Sequence, residues 1–181
     1  MSWERAIAFT LRWEGGYVNN PADRGGPTNR GITQGTLSSA YASGIVKHNN
    51  IKALTKSEAM SIYRARFWDP YDWGRYGEPV DMIMFDMAVN HGMGNTSRIA
   101  QRACASLGAF VVIDGKWGPQ TREALYRLAW KNGLALSKML LVKRLNFYDA
   151  IIAARPNQKR FRDGWRNRTF ALAKECGIRI V

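Results

Sequence analysis

The chain has 181 residues, of which 46% are hydrophobic, and its formal net charge is +13 at pH 7. This apolar content is enough for one sizeable core or for two packed lobes. No run of about 18 apolar residues occurs, which excludes a membrane-spanning helix. The amino-terminal segment carries Glu4, Arg5, Arg12 and Glu14, which are foreign to a signal peptide, so we expect a cytoplasmic protein without a secretion signal.

Positive charge is concentrated near the carboxyl end, where residues 133–181 hold 11 Lys and Arg against 3 Asp and Glu. Such a balance favours a polyanionic partner, which could be nucleic acid, anionic lipid or bacterial cell wall. His48, His91, Cys104 and Cys176 lack the spacing of zinc ligands, so we expect neither a metal site nor a cofactor. The two cysteines are expected to be thiols, with a disulfide as the alternative.

The first half of the chain predicts helices around a turn-rich segment. An amphipathic helix is predicted over residues 3–14, and two glycines follow it. Residues 17–35 are rich in Asn, Pro, Asp and Gly, which predicts turns or a hairpin with short strands. A short helix over residues 36–42 comes next. Thr55-Lys56-Ser57-Glu58 is a capping box, which predicts the start of a helix over 56–67. The nearly apolar residues 79–91 predict a buried helix.

The second half is predicted to be helical throughout. Gly92-Met93-Gly94 separates it from the first half, and Asn95 resembles the cap of the next helix. Further helices are expected to open at Pro119 and to end near residue 132, and then to cover residues 134–154 and 159–175. The predicted fold is therefore mainly α, with a small β-hairpin or loop patch near the amino terminus and a helical carboxyl-terminal lobe. The predicted domains are residues 1–92 and 93–181.

Glu14 is a candidate catalytic acid. On the helical count it shares the face of Ile7 and Leu11, so it should lose hydration, and the helix carboxyl end also opposes its ionisation. Both effects favour a protonated carboxyl, which is what a general acid needs in order to donate to a glycosidic oxygen. The alternative interpretation is a helix-end residue paired with Arg12 or another arginine.

Asp23 follows nine residues later within a polar turn, where Arg24, Arg30 and peptide N–H groups could keep its carboxylate ionised. Two carboxylates in contrasting surroundings form the acid-plus-base or acid-plus-stabiliser pair of glycoside hydrolysis. Thr28 could hold the attacking water. Alternatively, Asp23 only forms the turn before Arg-Gly-Gly.

Four stretches resemble the glycoside hydrolase family 108 muramidases, which are phage and prophage endolysins with a lysozyme-like fold. They are Glu14-Gly15-Gly16-Tyr17 with residues 20–33, Phe85 to Gly92, Ile113 to Thr121, and Phe161 to Arg168. The resemblance covers nearly all the chain and implies a lysozyme-like α+β fold. It assigns residues 1–92 to the catalytic region and residues 93–181 to a peptidoglycan-binding region.

The resemblance implies that Glu14 is the catalytic acid, with Asp23 and Thr28 beside it. Phage-type lysozymes have Thr fifteen residues after the Glu, whereas Thr28 lies fourteen residues after Glu14, so Thr33 is an alternative holder of the water. Asn90 is implied to line the cleft floor near Glu14, although it could instead satisfy a buried backbone group.

Tyr17 and Trp117 could stack on sugar faces, or could simply be packed in the core. The expected activity is hydrolysis of the β-1,4 bond between N-acetylmuramic acid and N-acetylglucosamine. The expected partners are peptidoglycan and the anionic cell envelope, without nucleic acid. We expect a monomer made in the host cytoplasm that reaches the wall through a holin-type pore. The alternatives are a lytic transglycosylase, a zinc amidase, and a non-catalytic binder of cell wall or nucleic acid.

Overall fold

Helices make up most of the computed structural model, which describes residues 2–19 and 26–180. The six α-helices of this described part are Ser2–Trp13 (α1), Gln34–Ala42 (α2), Lys56–Tyr63 (α3), Val80–Ser106 (α4), Pro119–Ala154 (α5) and Arg162–Glu175 (α6). The shorter helical segments are Ile51–Ala53, Arg64–Trp68, Asp69–Tyr71, Trp73–Tyr76 and Pro156–Phe161. By its contacts the chain forms two compact units, residues 3–72 and the chain from residue 73 onward.

The first unit is built around the apolar faces of three short helices. In α1 the buried residues are Ala6, Ile7, Phe9 and Thr10, whereas Leu11, which the sequence places on the buried face with Ile7, is only half-buried. The capping box of α3 is confirmed, because the Thr55 hydroxyl accepts from the Glu58 N–H and the Glu58 carboxylate accepts from the Thr55 N–H. The small sheet of the same unit leads directly into α2, because its second strand ends at Thr33 and α2 begins at Gln34.

The predicted hairpin lies in the first unit. Strands Thr28–Asn29 (β1) and Ile32–Thr33 (β2) pair antiparallel, with Thr28 opposite Thr33 and Asn29 opposite Ile32. The connecting residues Arg30 and Gly31 have φ values of 52° and 75°. Positive φ at both central positions is the mark of a type I′ turn, whose twist matches that of paired strands.

The second unit contains the three long helices, two of which break at the positions where the sequence predicts separation. In α4 the backbone leaves helical geometry at Gly92, with φ 72° and ψ 161°, a conformation that favours glycine. In α5 it does so at Asn132. Asn95 is not the helix cap that the sequence predicts, because its Nδ2 donates to the His91 carbonyl oxygen at 3.0 Å.

Residues 80–88 of α4 are all buried, which confirms the buried helix expected over 79–91. The predicted fold class is also confirmed: helices dominate, a two-stranded antiparallel sheet lies near the amino terminus, and the carboxyl-terminal half is helical. Cys104 and Cys176 are thiols rather than disulfide partners. Burial raises the pKa of the Cys104 thiol to about 12.

Candidate active site

Glu14 directly follows the last residue of α1 and is half-buried. Its carboxyl group lies against the turn of the hairpin, because a Cβ built on Gly31 would stand 2.6 Å from Glu14 Oε2 and 2.9 Å from Cδ. A contact this close leaves no room for a side chain at residue 31. Gly31 therefore serves two purposes: it adopts the positive φ of the turn and leaves space for the Glu14 carboxyl group.

Tyr63, the last residue of α3, also reaches this turn. Its hydroxyl donates to the Arg30 carbonyl oxygen at 3.0 Å and would collide with a Cβ on Gly31, as the Glu14 carboxyl group would. The sequence places Tyr63 only on the apolar face of a helix, and the ring is indeed buried. Nothing in the local pattern indicates that its hydroxyl lies beside the candidate acid, because that proximity depends on a contact across 33 residues of sequence.

Two further long-range hydrogen bonds hold the hairpin. The buried Asn29 donates from Nδ2 to the Ile51 carbonyl oxygen at 2.8 Å, and Arg30 donates from Nε to the Leu54 carbonyl oxygen at 3.4 Å. The backbone of Val18 exchanges two hydrogen bonds of 2.8 Å with that of Thr28, which ties the segment after Glu14 to β1. The surface that faces the Glu14 carboxyl group is thus fixed before any substrate arrives, as catalysis by positioning requires.

Thr28 and Thr33, the two candidates for holding water, lie directly opposite each other in the ladder. Side chains of such a pair project from the same face, with Cβ atoms about 4.5–5.5 Å apart. Thr33 is the N-cap of α2, and its Oγ1 accepts from the Thr36 N–H at 3.2 Å. Thr28 Oγ1 donates to the Gly26 carbonyl oxygen at 3.3 Å. Both threonines belong to the hairpin that contacts Glu14, but only Thr33 caps a helix.

The remaining predicted residues of the amino-terminal region have different outcomes. Asp23 lies outside the described residues, so its role stays a prediction. Tyr17 is 39% exposed, and the Lys52 ammonium group lies 5.5 Å from its ring centroid. An exposed ring close to the candidate acid in sequence has a face that a sugar could cover.

Asn90 and Trp117 belong to the second unit. Asn90 is exposed, and its Oδ1 accepts from the Tyr148 hydroxyl at 3.2 Å, so its partner is a side chain rather than a buried backbone group. Trp117 is half-buried and packs edge-on against Trp73 and Tyr76, with ring centroids 5.1 and 6.3 Å apart. The suggested contacts of both residues with sugar stay predictions.

A buried ion-pair cluster in the second unit accounts for two of the basic residues near the carboxyl end. Asp86 accepts from Arg144 Nη1 at 2.8 Å and from Arg168 Nη2 at 2.7 Å, and Arg144 Nε donates to the Tyr148 hydroxyl at 2.9 Å. Burial alone would raise the pKa of Asp86, but the charges and hydrogen bonds of the two arginines outweigh it and lower the pKa to about 2. Two of the carboxyl-terminal cations are thus internal and structural.

The described residues contain no group of three or more His, Cys, Asp or Glu side chains that could hold a metal ion. Over residues 2–19 and 26–180, no helix is long and apolar enough to cross a membrane.

Comparison with known proteins is consistent with this arrangement. Residues 7–92 match the family model described as Glycosyl hydrolase 108, and residues 95–170 match the model described as Predicted Peptidoglycan domain. A comparison with curated proteins gave no match. The solved structure titled "Structure of Brucella abortus SagA" is similar, with 29% identity and a TM-score of 0.73, over 96% of this chain and 92% of that chain.

These matches support a lysozyme-like α+β fold and a glycoside hydrolase that acts on peptidoglycan. Glu14, the hairpin and Tyr63 all fall within the residues that match the hydrolase model. Residues 7–92 of this chain thus match the glycosyl hydrolase 108 family, and the region that follows them matches a predicted peptidoglycan domain.

Proposed function

We propose that this chain is an N-acetylmuramidase, which hydrolyses the β-1,4 bond from N-acetylmuramic acid to N-acetylglucosamine with Glu14 as general acid. The observation that carries the proposal is the position of the Glu14 carboxyl group against the Gly31 turn, within the region that matches the glycosyl hydrolase 108 family. A carboxyl group held by a fixed hairpin can donate repeatedly from the same position.

In the proposed reaction the Glu14 proton passes to the bridging oxygen as the bond from that oxygen to C1 of N-acetylmuramic acid breaks. N-acetylglucosamine leaves with a neutral 4-hydroxyl group. The oxygen of a water molecule forms the new bond to C1 and gives up one proton to the Asp23 carboxylate or to the Glu14 carboxylate, which yields a reducing N-acetylmuramic acid end. Asp23 is the proposed partner carboxylate, which acts as base or as stabiliser of the developing positive charge.

Thr28 is the better candidate for holding the attacking water, because Thr33 Oγ1 already caps α2. The Thr28 hydroxyl donates to a backbone carbonyl at 3.3 Å, so its oxygen lone pairs remain for a water proton. Tyr17, Asn90 and Trp117 are the proposed sugar contacts. The net charge of +13 supports attraction to the carboxylates of the wall, an attraction that salt would screen.

The test is mass spectrometry of the products from purified sacculi. A muramidase releases muropeptides that end in reducing N-acetylmuramic acid, and borohydride converts those ends to the alcohol. Products ending in reducing N-acetylglucosamine would show a glucosaminidase, 1,6-anhydro ends a lytic transglycosylase, and free peptides an amidase. Any of these three outcomes would overturn the proposal, as would sacculi that bind the protein but remain intact.

A biological role in host-cell lysis is part of the same proposal and is supported by the resemblance to endolysins. The protein would accumulate as a monomer in the host cytoplasm and reach the wall when a separate holin-type protein opens the membrane. Expression alone should leave a bacterial culture turbid, and co-expression with a pore-forming protein should clear it. Clearing without the pore-forming protein would contradict this route.

A further inference from the structure

A cavity of about 590 Å³ opens in the second unit and is formed by residues of that unit alone. It is lined by side chains of α4 and α5 together with Arg155, Gln158 and Trp165. Three of the lining residues are arginines, Arg98, Arg102 and Arg155, and none of the ten is acidic. All ten fall within the residues that match the predicted peptidoglycan domain. We call this cavity the arginine pocket.

One wall of the arginine pocket is aromatic, and its rings pack against other side chains of the second unit. The Trp165 ring stacks on the Tyr148 ring, with centroids 5.0 Å apart and an interplanar angle of 17°. Tyr148 is in turn held by Arg144 of the buried ion-pair cluster. Phe147, the second aromatic lining residue, packs against His91 with ring centroids 5.4 Å apart. The aromatic wall is therefore a prearranged apolar surface rather than a pair of loose side chains.

The arginines differ in what holds them. Arg98 donates from Nη2 to the Asp114 carbonyl oxygen at 3.3 Å, and its guanidinium group covers Gly115, where a Cβ would stand 2.6 Å from Cζ. Arg102 and Arg155 are both exposed, and neither guanidinium group has a hydrogen-bond or ion-pair partner among residues 2–19 and 26–180. Two guanidinium groups beside an aromatic wall can therefore accept a carboxylate, which arginine binds through two parallel hydrogen bonds.

We propose that the arginine pocket binds the carboxylate-bearing peptide stem of peptidoglycan, with Arg102 and Arg155 on a stem carboxylate and the aromatic wall against its apolar part. The inference rests on the proposed function, since it gives the second unit a particular contact with the same substrate. A glycan strand without peptides keeps the lactyl carboxylate but lacks the stem carboxylates and the apolar part of the stem, so the pocket would bind native wall in preference to bare glycan strands.

Binding is best measured in the Glu14→Gln background, so that the substrate stays intact. The pocket variant is R102A/R155A, and the matched control is R122A/R162A, which removes the same two charges from exposed residues outside the pocket. The probes are purified sacculi, the peptide-free glycan strands that an amidase releases from them, and a soluble muramyl tripeptide. Thermal unfolding of each variant checks that the fold is retained.

The pocket variant should bind intact sacculi and the tripeptide about tenfold more weakly or worse, whereas the control should change binding by about twofold at most. The parent protein should bind the peptide-free glycan strands no more tightly than the pocket variant binds them. R102K/R155K, which keeps the charge but loses the paired hydrogen bonds, should fall between the parent and the alanine variant.

Equal losses in both double variants would show diffuse charge attraction and overturn the inference. Binding of the parent to peptide-free glycan strands as tight as its binding to intact sacculi would also overturn it, as would competition by single-stranded DNA that exceeds competition by the tripeptide. The chain with native Glu14 is assayed in parallel for release of reducing ends. If the chain with native Glu14 cleaves sacculi while the pocket variant binds them normally, only this inference fails. If it releases no reducing ends, the proposed function itself fails.

Discussion

Replacing Gly31 with alanine should disable the proposed site while leaving the fold largely intact. The new Cβ would stand 2.6 Å from Glu14 Oε2, and ordinary contact begins at 3.4 Å. The carboxyl group must therefore move by about 0.8 Å, and the Tyr63 hydroxyl must move as well. Both atoms are the far ends of side chains, so the backbone can stay in place.

The magnitude follows from two separate effects. An L-residue at the φ of +75° found at Gly31 costs about 1–2 kcal/mol of stability. Misplacement of a catalytic group by about 1 Å can cost about 10²-fold in rate. We therefore expect Gly31→Ala to lose about two orders of magnitude in turnover, which is much more than its loss of stability explains.

Gly44→Ala is the matched control, because Gly44 has a φ of +71° in the same unit and a Cβ added there would meet nothing within 4 Å. The assay is release of reducing ends from sacculi, alongside urea unfolding of both variants. Gly31→Ala should cost more stability than Gly44→Ala, because it also displaces the buried Tyr63 hydroxyl from the Arg30 carbonyl oxygen, and only Gly31→Ala should lose activity. Full activity in Gly31→Ala, or equal losses in both variants, would refute the assignment of this turn to the active site.

Two further predictions concern the buried cluster and the threonines. Replacing Asp86 with alanine leaves Arg144 and Arg168 buried without their anion and should cost about 3–5 kcal/mol at pH 7. The folded-state pKa of Asp86 is about 2, below its ordinary 3.8. The contribution of Asp86 to folding stability is therefore present above about pH 4 and is lost as the pH falls towards 2. Urea unfolding should show the difference in unfolding free energy between the parent and Asp86→Ala narrowing over that pH range. A difference that does not depend on pH would contradict this prediction. Thr33→Ala should lose about 1 kcal/mol of stability because its helix cap is removed, whereas Thr28→Ala should lose turnover. Thermal unfolding and steady-state kinetics measure the two effects, and a loss of turnover in Thr33→Ala alone would contradict the assignment.

Much of the fold is predictable because its causes are local. The capping box at Thr55 and Glu58 predicts the start of α3 from four consecutive residues, and Gly92 predicts the break in α4 from its own freedom at positive φ. The hairpin follows from the density of Asn, Pro and Gly between two helical patterns. In each case the neighbouring residues contain the main physical reason, although long-range hydrogen bonds also hold the hairpin.

The unpredicted features depend on contacts between distant parts of the chain. The charge pattern treats Arg144 and Arg168 as members of a basic surface, yet both are buried against Asp86, which lies 58 and 82 residues away. The contact of Tyr63 with the Gly31 turn is similarly invisible, because helical periodicity shows that the ring is buried but not where its hydroxyl lies. The motif containing Gly31 predicts a turn without showing that the Glu14 carboxyl group occupies the missing side-chain space.

The most direct test of the central claim is the rate at which Glu14→Gln releases reducing ends from sacculi, measured on protein whose circular dichroism matches the parent. The amide keeps the shape of the side chain but has no proton to donate to the glycosidic oxygen. We expect the rate to fall by at least about 10²–10⁴-fold. A correctly folded variant that retains more than a small fraction of the parent rate would contradict the role of Glu14 as proton donor.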